Sequence, residues 1–208
     1  AVGRGVSVRG MLEDSIDFNA RSLPYLQQLG IDVKLDDPEK MLHSKLIVTD
    51  RKRVLLGSTN LTGNSIDNNN ETNVLIDDPV IAGLFGAYVE ALLADSITEP
   101  VLPSTESGSI KTVINRAYFS SVMELIQSAQ TRIRVIMYGI KYYPRQPDSK
   151  TNQLLEALVA AHARGVDVEV IMDLSDYNET LNKVNREAKT FLIRGGVPVL
   201  DDALHTTT

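Results

Sequence analysis

The 208-residue sequence predicts an α/β protein, a mixed β-sheet flanked by helices, and three observations carry that prediction. Short β-rich runs alternate with longer amphipathic stretches, the signature of strands interleaved with helices. A strand–helix–strand pattern occurs twice, because Arg4-Gly5-Val6-Ser7-Val8 returns as Arg164-Gly165-Val166-Asp167-Val168 at an offset of 160 residues. Gly30-Ile31-Asp32-Val33 with Asp36 likewise returns as Gly196-Val197-Pro198-Val199 with Asp202 at an offset of 166. The third observation is the pair LHSKLIVTD and RVLLGSTN, two β-rich runs meeting at the polar stretch Thr49-Asp50-Arg51-Lys52-Arg53, which reads as a hairpin.

In chain order, each repeated block begins with a strand after Arg-Gly-Val. It passes through an amphipathic helix and returns, after Gly-Ile or Gly-Val, in a strand that ends at an acidic turn. The hairpin follows in the first half, and the Asn-rich segment NSIDNNNE after it is a turn region, since asparagine tolerates left-handed backbone and bonds to its own main chain. DPVIAGLFGAYVEALLAD starts a helix at Asp78-Pro79, with proline in the first turn. Residues 98–112 lie in a Ser-, Thr-, Pro- and Gly-rich linker that divides 1–97 from 113–208. NRAYFSSVMELIQSAQTRIRVIMYGI then predicts a helix and a buried strand over Arg132 to Tyr138. KYYPRQPDSK is a proline-broken loop at the strand end, where α/β folds place their sites. Tyr142, Tyr143 and Arg145 there are either substrate contacts or ordinary loop residues.

The hairpin concentrates chemistry. His43, Lys45 and Asp50 are spaced His-x-Lys-x4-Asp, and Gly57-Ser58-Thr59-Asn60 closes the same run. With Arg51-Lys52 as a two-residue loop, Asp50 pairs with Arg53, His43 faces Asn60 and Lys45 faces Ser58, and all four groups share one face. Asp50, seven residues from His43, lies about 23 Å away along an extended strand and on the other face. It is a structural or turn-stabilising carboxylate.

His-x-Lys-x4-Asp, then Gly-Ser-x-Asn, then Glu71 in NNNETNVLID, closely resembles the HKD motif of the phospholipase D superfamily. The resemblance implies a phosphodiesterase in which two such motifs build one site. One histidine attacks phosphorus and the other protonates the leaving alcohol, roles open to an imidazole that titrates near neutrality. It assigns catalysis to His43, Lys45 and Asn60, with lysine and asparagine holding the non-bridging oxygens as charge moves onto them. Ser58 and Glu71 become supporting groups, Glu71 orienting a histidine by accepting its other ring proton. No metal or other cofactor is implied, as the lysines supply the positive charge. The helix–strand entry after residue 113 resembles the opening of a second phospholipase D repeat.

One motif stands where the resemblance requires two. Carried forward at 166, the partner of His43 falls at position 209, so the expectation is a fragment holding the back of one repeat and the front of the next. The other half-site would come from the second repeat of the same chain or from a homodimer partner.

Composition narrows the reading further. With 43% hydrophobic and 23% charged residues the chain can bury a sizeable core, and no apolar run reaches the ~18 residues of a membrane span. Zero cysteines exclude disulfides and thiolate metal sites. The three histidines are far apart in sequence, with His162 on a helix as a partly exposed residue and His205 either the same or a substrate contact. Localisation is open, membrane association and secretion included. The substrate expectation is a phospholipid or other phosphodiester. A nuclease of the same superfamily is the alternative, disfavoured by a net charge of −6 and a pI near 5.1. A non-catalytic binding module is a third possibility, opposed by the intact set His43, Lys45, Ser58, Asn60 and Glu71.

Overall fold

The computed structural model of the chain describes residues 1–175 and 178–202, so His205 lies outside the described residues. The fold is mixed α/β, with several sheets flanked by helices, and it divides into two compact units, Ala1–Thr112 and Val113–Thr208.

The first unit opens with β1 (Arg9–Leu12), α1 (Asp17–Gln28) and β2 (Asp32–Leu35), and β1 pairs with β2 in parallel. A helical crossover is the usual way to join parallel neighbours, and α1 lies between the two strands in sequence. Next come β3 (Leu46–Thr49), β4 (Arg53–Gly57), the short α2 (Gly63–Asp67) and β5 (Asn73–Asp77), with β3-β4-β5 an antiparallel sheet. Helix α3 (Pro79–Ala94) packs on β1, β3, β4 and β5 and buries Ile81, Ala82, Phe85 and Tyr88 against a fully buried Val54. Asp78 caps it, accepting from the amides of Val80 at 2.8 Å and Ile81 at 3.0 Å, with Pro79 in the first turn as the sequence predicts.

The segment read as a linker is ordered within this unit. It holds the two-stranded ribbon β6 (Glu106–Ser107) and β7 (Ile110–Lys111), and Ser107 Oγ donates to Asp78 Oδ2 at 2.6 Å. Two-residue strands carry no periodic signal, and their Ser, Thr and Gly content reads as coil.

The second unit contains α4 (Ala117–Ser128), β8 (Arg132–Met137), α5 (Lys150–Ala163), β9 (Asp167–Met172), α6 (Glu179–Arg194) and β10 (Val199–Asp201). Its three strands are parallel in the order β10-β9-β8. Central β9 buries Val168, Val170 and Met172 among Ile126, Leu155, Leu158, Ala188, Leu192 and Val197. The expectation of a buried strand over Arg132 to Tyr138 is corrected here: β8 is an edge strand of this sheet and Ile136 is 77% exposed. An apolar run reads the same whether both faces or one is covered.

The repeated blocks adopt one geometry. Gly10 in β1 pairs with Val33 in β2, and Val170 in β9 pairs with Val199 in β10, the positions that the two sequence offsets equate. Gly5 and Gly165 both take left-handed backbone, at φ 78° and 91°, and so do Gly30 and Gly196, at 79° and 84°. The Asp36 amide donates to the Leu12 carbonyl at 2.9 Å and the Asp202 amide to the Met172 carbonyl at 2.8 Å.

Candidate active site

The hairpin exists, with a register one residue from the expected one. Thr49 pairs with Arg53 and Leu46 with Leu56, so the loop is the three residues Asp50, Arg51 and Lys52. Asp50 and Arg51 have φ of 53° and 52°, and the Lys52 amide donates to the Thr49 carbonyl at 2.9 Å. A tight two-residue hairpin loop favours Asn-Gly or Asp-Gly, and Arg-Lys is neither; Asp50 accepts the left-handed geometry instead. Asp50 therefore sits in the turn itself. The shift also ends the expected facing pairs, because the Gly57 amide donates to the Lys45 carbonyl at 3.2 Å, leaving Gly57, not Ser58, across from Lys45. His43 lies in the irregular segment before β3 and is exposed.

Glu71 brings the motif together in place of the ladder. β4 and β5 approach so closely at Gly57 that an added Cβ would sit 2.2 Å from Asn73 Oδ1 and 2.4 Å from the Thr72 carbonyl. That approach puts Ser58 beside Thr72: Ser58 Oγ donates to Glu71 Oε2 at 2.5 Å and accepts the Thr72 amide at 3.0 Å. Asn69 Nδ2 donates to Glu71 Oε1 at 3.1 Å, and Asn69 Oδ1 accepts from Asn64 Nδ2 at 2.9 Å. Ser58, then Asn69, Ser65 and the Lys45 charge, draw the Glu71 carboxyl below the usual carboxylate range against a burial effect of opposite sign. Burial pulls Lys45 below the ordinary lysine range, and the Glu71 charge opposes that only in part. Its Nζ donates to the His43 carbonyl at 2.9 Å.

The site thus gathers a half-buried ammonium, a carboxylate fixed by two donors and, two residues from the lysine, an exposed imidazole. Asn60 is exposed, and its carbonyl accepts the Thr62 amide at 2.8 Å just ahead of α2. Neither the Asn60 amide nor the His43 imidazole bonds to Lys45, Ser58 or Glu71 among the described residues; Glu71 is held by Ser58 and Asn69. The sequence reading missed Asn69, which sits in the run treated as turn residues. Its place two residues before Glu71 was the available signal. In the second unit, Tyr142 stacks on Phe191 at 4.8 Å and belongs to the packing, and Lys141 Nζ lies 4.8 Å above the Tyr143 ring. Arg145 is exposed.

A family model described as cardiolipin synthase, PLD-like domain, matches residues 1–93 and again 122–207. The chain belongs to the phospholipase D superfamily. Within that superfamily it is 39% identical over 80 residues to a phospholipase D of Rickettsia prowazekii, covering 38% of this chain and 39% of that protein. It is 32% identical over 83 residues to the mitochondrial cardiolipin hydrolase of Mus musculus, covering 39% of this chain and 38% of that one. The matched segment thus spans about two fifths of each relative's length. A polyphosphate kinase from Porphyromonas gingivalis has a similar fold, with a TM-score of 0.51 at 14% identity, over 82% of this chain and 29% of that one.

Proposed function

We propose that this phospholipase D-like chain is part of a phosphodiesterase that cleaves or exchanges the head-group ester of a phospholipid through a phosphohistidine on His43. The observation that carries the proposal is the Lys45–Glu71–Ser58 arrangement directly beside the exposed His43. An imidazole nitrogen of His43 forms a bond to phosphorus as the ester P–O bond breaks. A second histidine, from the other repeat or from a second copy of the chain, gives its proton to the departing alkoxide. Water then attacks the phosphohistidine and returns the imidazole, its proton passing to that second histidine. Lys45 and Asn60 hold the non-bridging oxygens. Naming of relatives as phospholipase D and as cardiolipin hydrolase supports a lipid substrate.

The test uses the whole protein that carries this chain, on phosphatidylcholine and cardiolipin vesicles and on single-stranded DNA, each with and without EDTA. Lipid turnover insensitive to EDTA, lost in His43→Ala and accompanied by an acid-labile phosphorus adduct, is the expected result. Turnover retained in His43→Ala overturns the mechanism, and preference for DNA replaces the substrate with a nucleic acid.

A further inference from the structure

We infer that Glu13 is a positioning residue for His43, acting through the backbone amide of Leu42, and that Asp36 holds the adjoining backbone through the Asp14 amide. The inference rests on the proposed role of His43.

His43 stands in a segment with few restraints. Between the end of β2 at Leu35 and the start of β3 at Leu46 there is no regular structure. On the far side of His43, the first tie to the sheet is the bond from Gly57 to the Lys45 carbonyl. On the near side, the tie adjoining it is the Leu42 amide, which donates to Glu13 Oε2. The backbone of His43 is thus held by the Lys45 ammonium on its own carbonyl, by a ladder bond on one side and by the Glu13 carboxylate on the other.

Glu13 is itself fully engaged. Its Oε1 accepts the Ser15 hydroxyl at 2.6 Å and the Ser15 amide at 3.2 Å, leaving Oε2 for Leu42. Asp36, 8% exposed, accepts the Asp14 amide on Oδ1 at 2.7 Å, and its Oδ2 is buried with no donor. Burial pushes Asp36 up, and the Glu13 charge adds to this against the Asp14 bond. Burial would raise Glu13 too, but the bonds from Ser15, Leu42 and Asp36 outweigh it and leave Glu13 low.

A corresponding pair stands in the second unit at the positions equated by the two offsets. Asp173 and Asp202 have buried oxygens without donors, and burial followed by the Asp202 charge raises Asp173. Two carboxyls at the ends of adjacent parallel strands are thus a recurrent feature of the chain.

Glu13→Gln is the informative change, because an amide has one acceptor oxygen for the two sets of donors that Glu13 serves. Asp36→Asn is the conservative partner: its amide oxygen still accepts from the Asp14 amide. In the full protein, Glu13→Gln is expected to lower kcat roughly ten- to hundredfold with KM unchanged, the signature of a misplaced reacting group. The Leu42 amide proton should move upfield and the His43 ring signals should shift, while Asp36→Asn keeps all three at wild-type values. Wild-type kcat in Glu13→Gln, or a fall in kcat with Leu42 and His43 unmoved, overturns the inference. Should the wild-type protein turn over no phosphodiester, the proposed function fails and the NMR readout decides the positioning role alone. Shifted His43 signals in Glu13→Gln then support it and unshifted ones overturn it.

Discussion

Ser58 and Glu71, thirteen residues apart, are joined by a 2.5 Å hydrogen bond between the end of β4 and the start of β5. It does two things at once: it fixes the carboxylate whose charge acts on Lys45, and it shares the hydroxyl with the Thr72 amide. Ser58→Ala should therefore lower kcat about tenfold and raise the Glu71 pKa, with Ser58→Thr restoring most of both. Because Glu71 is depressed in the folded state, its stabilising contribution is present above the ordinary glutamate pKa and is lost as pH falls through the folded value. Acid titration of the fold should show a smaller loss in Ser58→Ala than in wild type. An unchanged Glu71 titration by carboxyl-selective NMR would refute the coupling.

In the proposed mechanism Lys45 sets the alkaline side. Burial lowers its pKa, so the folded protein gives up this proton at a lower pH than the unfolded chain does. Between those two values the unfolded state binds more protons, and stability rises with pH while the site loses its cation. Turnover should accordingly fall on an alkaline limb below the ordinary lysine range, and Lys45→Arg should move that limb upward. Lys45→Ala should cost about a hundredfold in kcat. A pH–rate profile identical in Lys45→Arg would remove Lys45 from the titration.

Gly57 is required by space. A Cβ there would meet Asn73 Oδ1 at 2.2 Å, the Thr72 carbonyl at 2.4 Å and Asn73 Cα at 2.7 Å, and two of these are backbone. Gly57→Ala should destabilise the first unit by about 1–3 kcal/mol and displace Ser58 from Glu71. Urea denaturation, with hydrogen exchange at Thr72, measures both effects. Wild-type stability together with wild-type exchange would show that the strands can part without cost.

Sequence alone was enough for whatever rests on chain-local chemistry. The strand–helix–strand blocks and the Asp78-Pro79 helix start both come from residue types at fixed spacing. The hairpin register did not, because it turns on whether Asp50 enters left-handed backbone, a choice of about 1 kcal/mol that alternation cannot detect. Burial of β8 also escaped, since an apolar strand carries no mark of which neighbour it lacks. Glu13 was invisible for a different reason: it reaches Leu42 across 29 residues of chain, and only the fold brings the two together. The buried asparagines are similar. Asn185 on α6 accepts the Ile140 amide at 2.9 Å and donates to the carbonyls of Tyr138 at 2.9 Å and Asp173 at 3.0 Å, ordering the strand ends from a helix that reads as merely amphipathic.

Gly195 and Val159 offer a separate check on the packing of α5 against α6 in the second unit. Gly195 has φ −79°, a backbone that alanine adopts freely, so conformational strain is not what excludes a side chain. An added Cβ would lie 2.4 Å from Val159 Cγ2 and 2.7 Å from Cγ1, but 3.2 Å from Cβ. The two methyls are the obstacle. Gly195→Ala alone should destabilise by about 1–3 kcal/mol through overpacking, and Val159→Ala alone by about 1–2 kcal/mol through lost contacts. The double variant removes both methyls and leaves a 3.2 Å approach that a small shift relieves, so it should be more stable than the sum of the single effects by about 1 kcal/mol or more. Thermal or urea unfolding of the four proteins closes the cycle. Additive values would mean that α6 shifts to admit the alanine, and that the close fit at Gly195 contributes nothing to the stability of the unit.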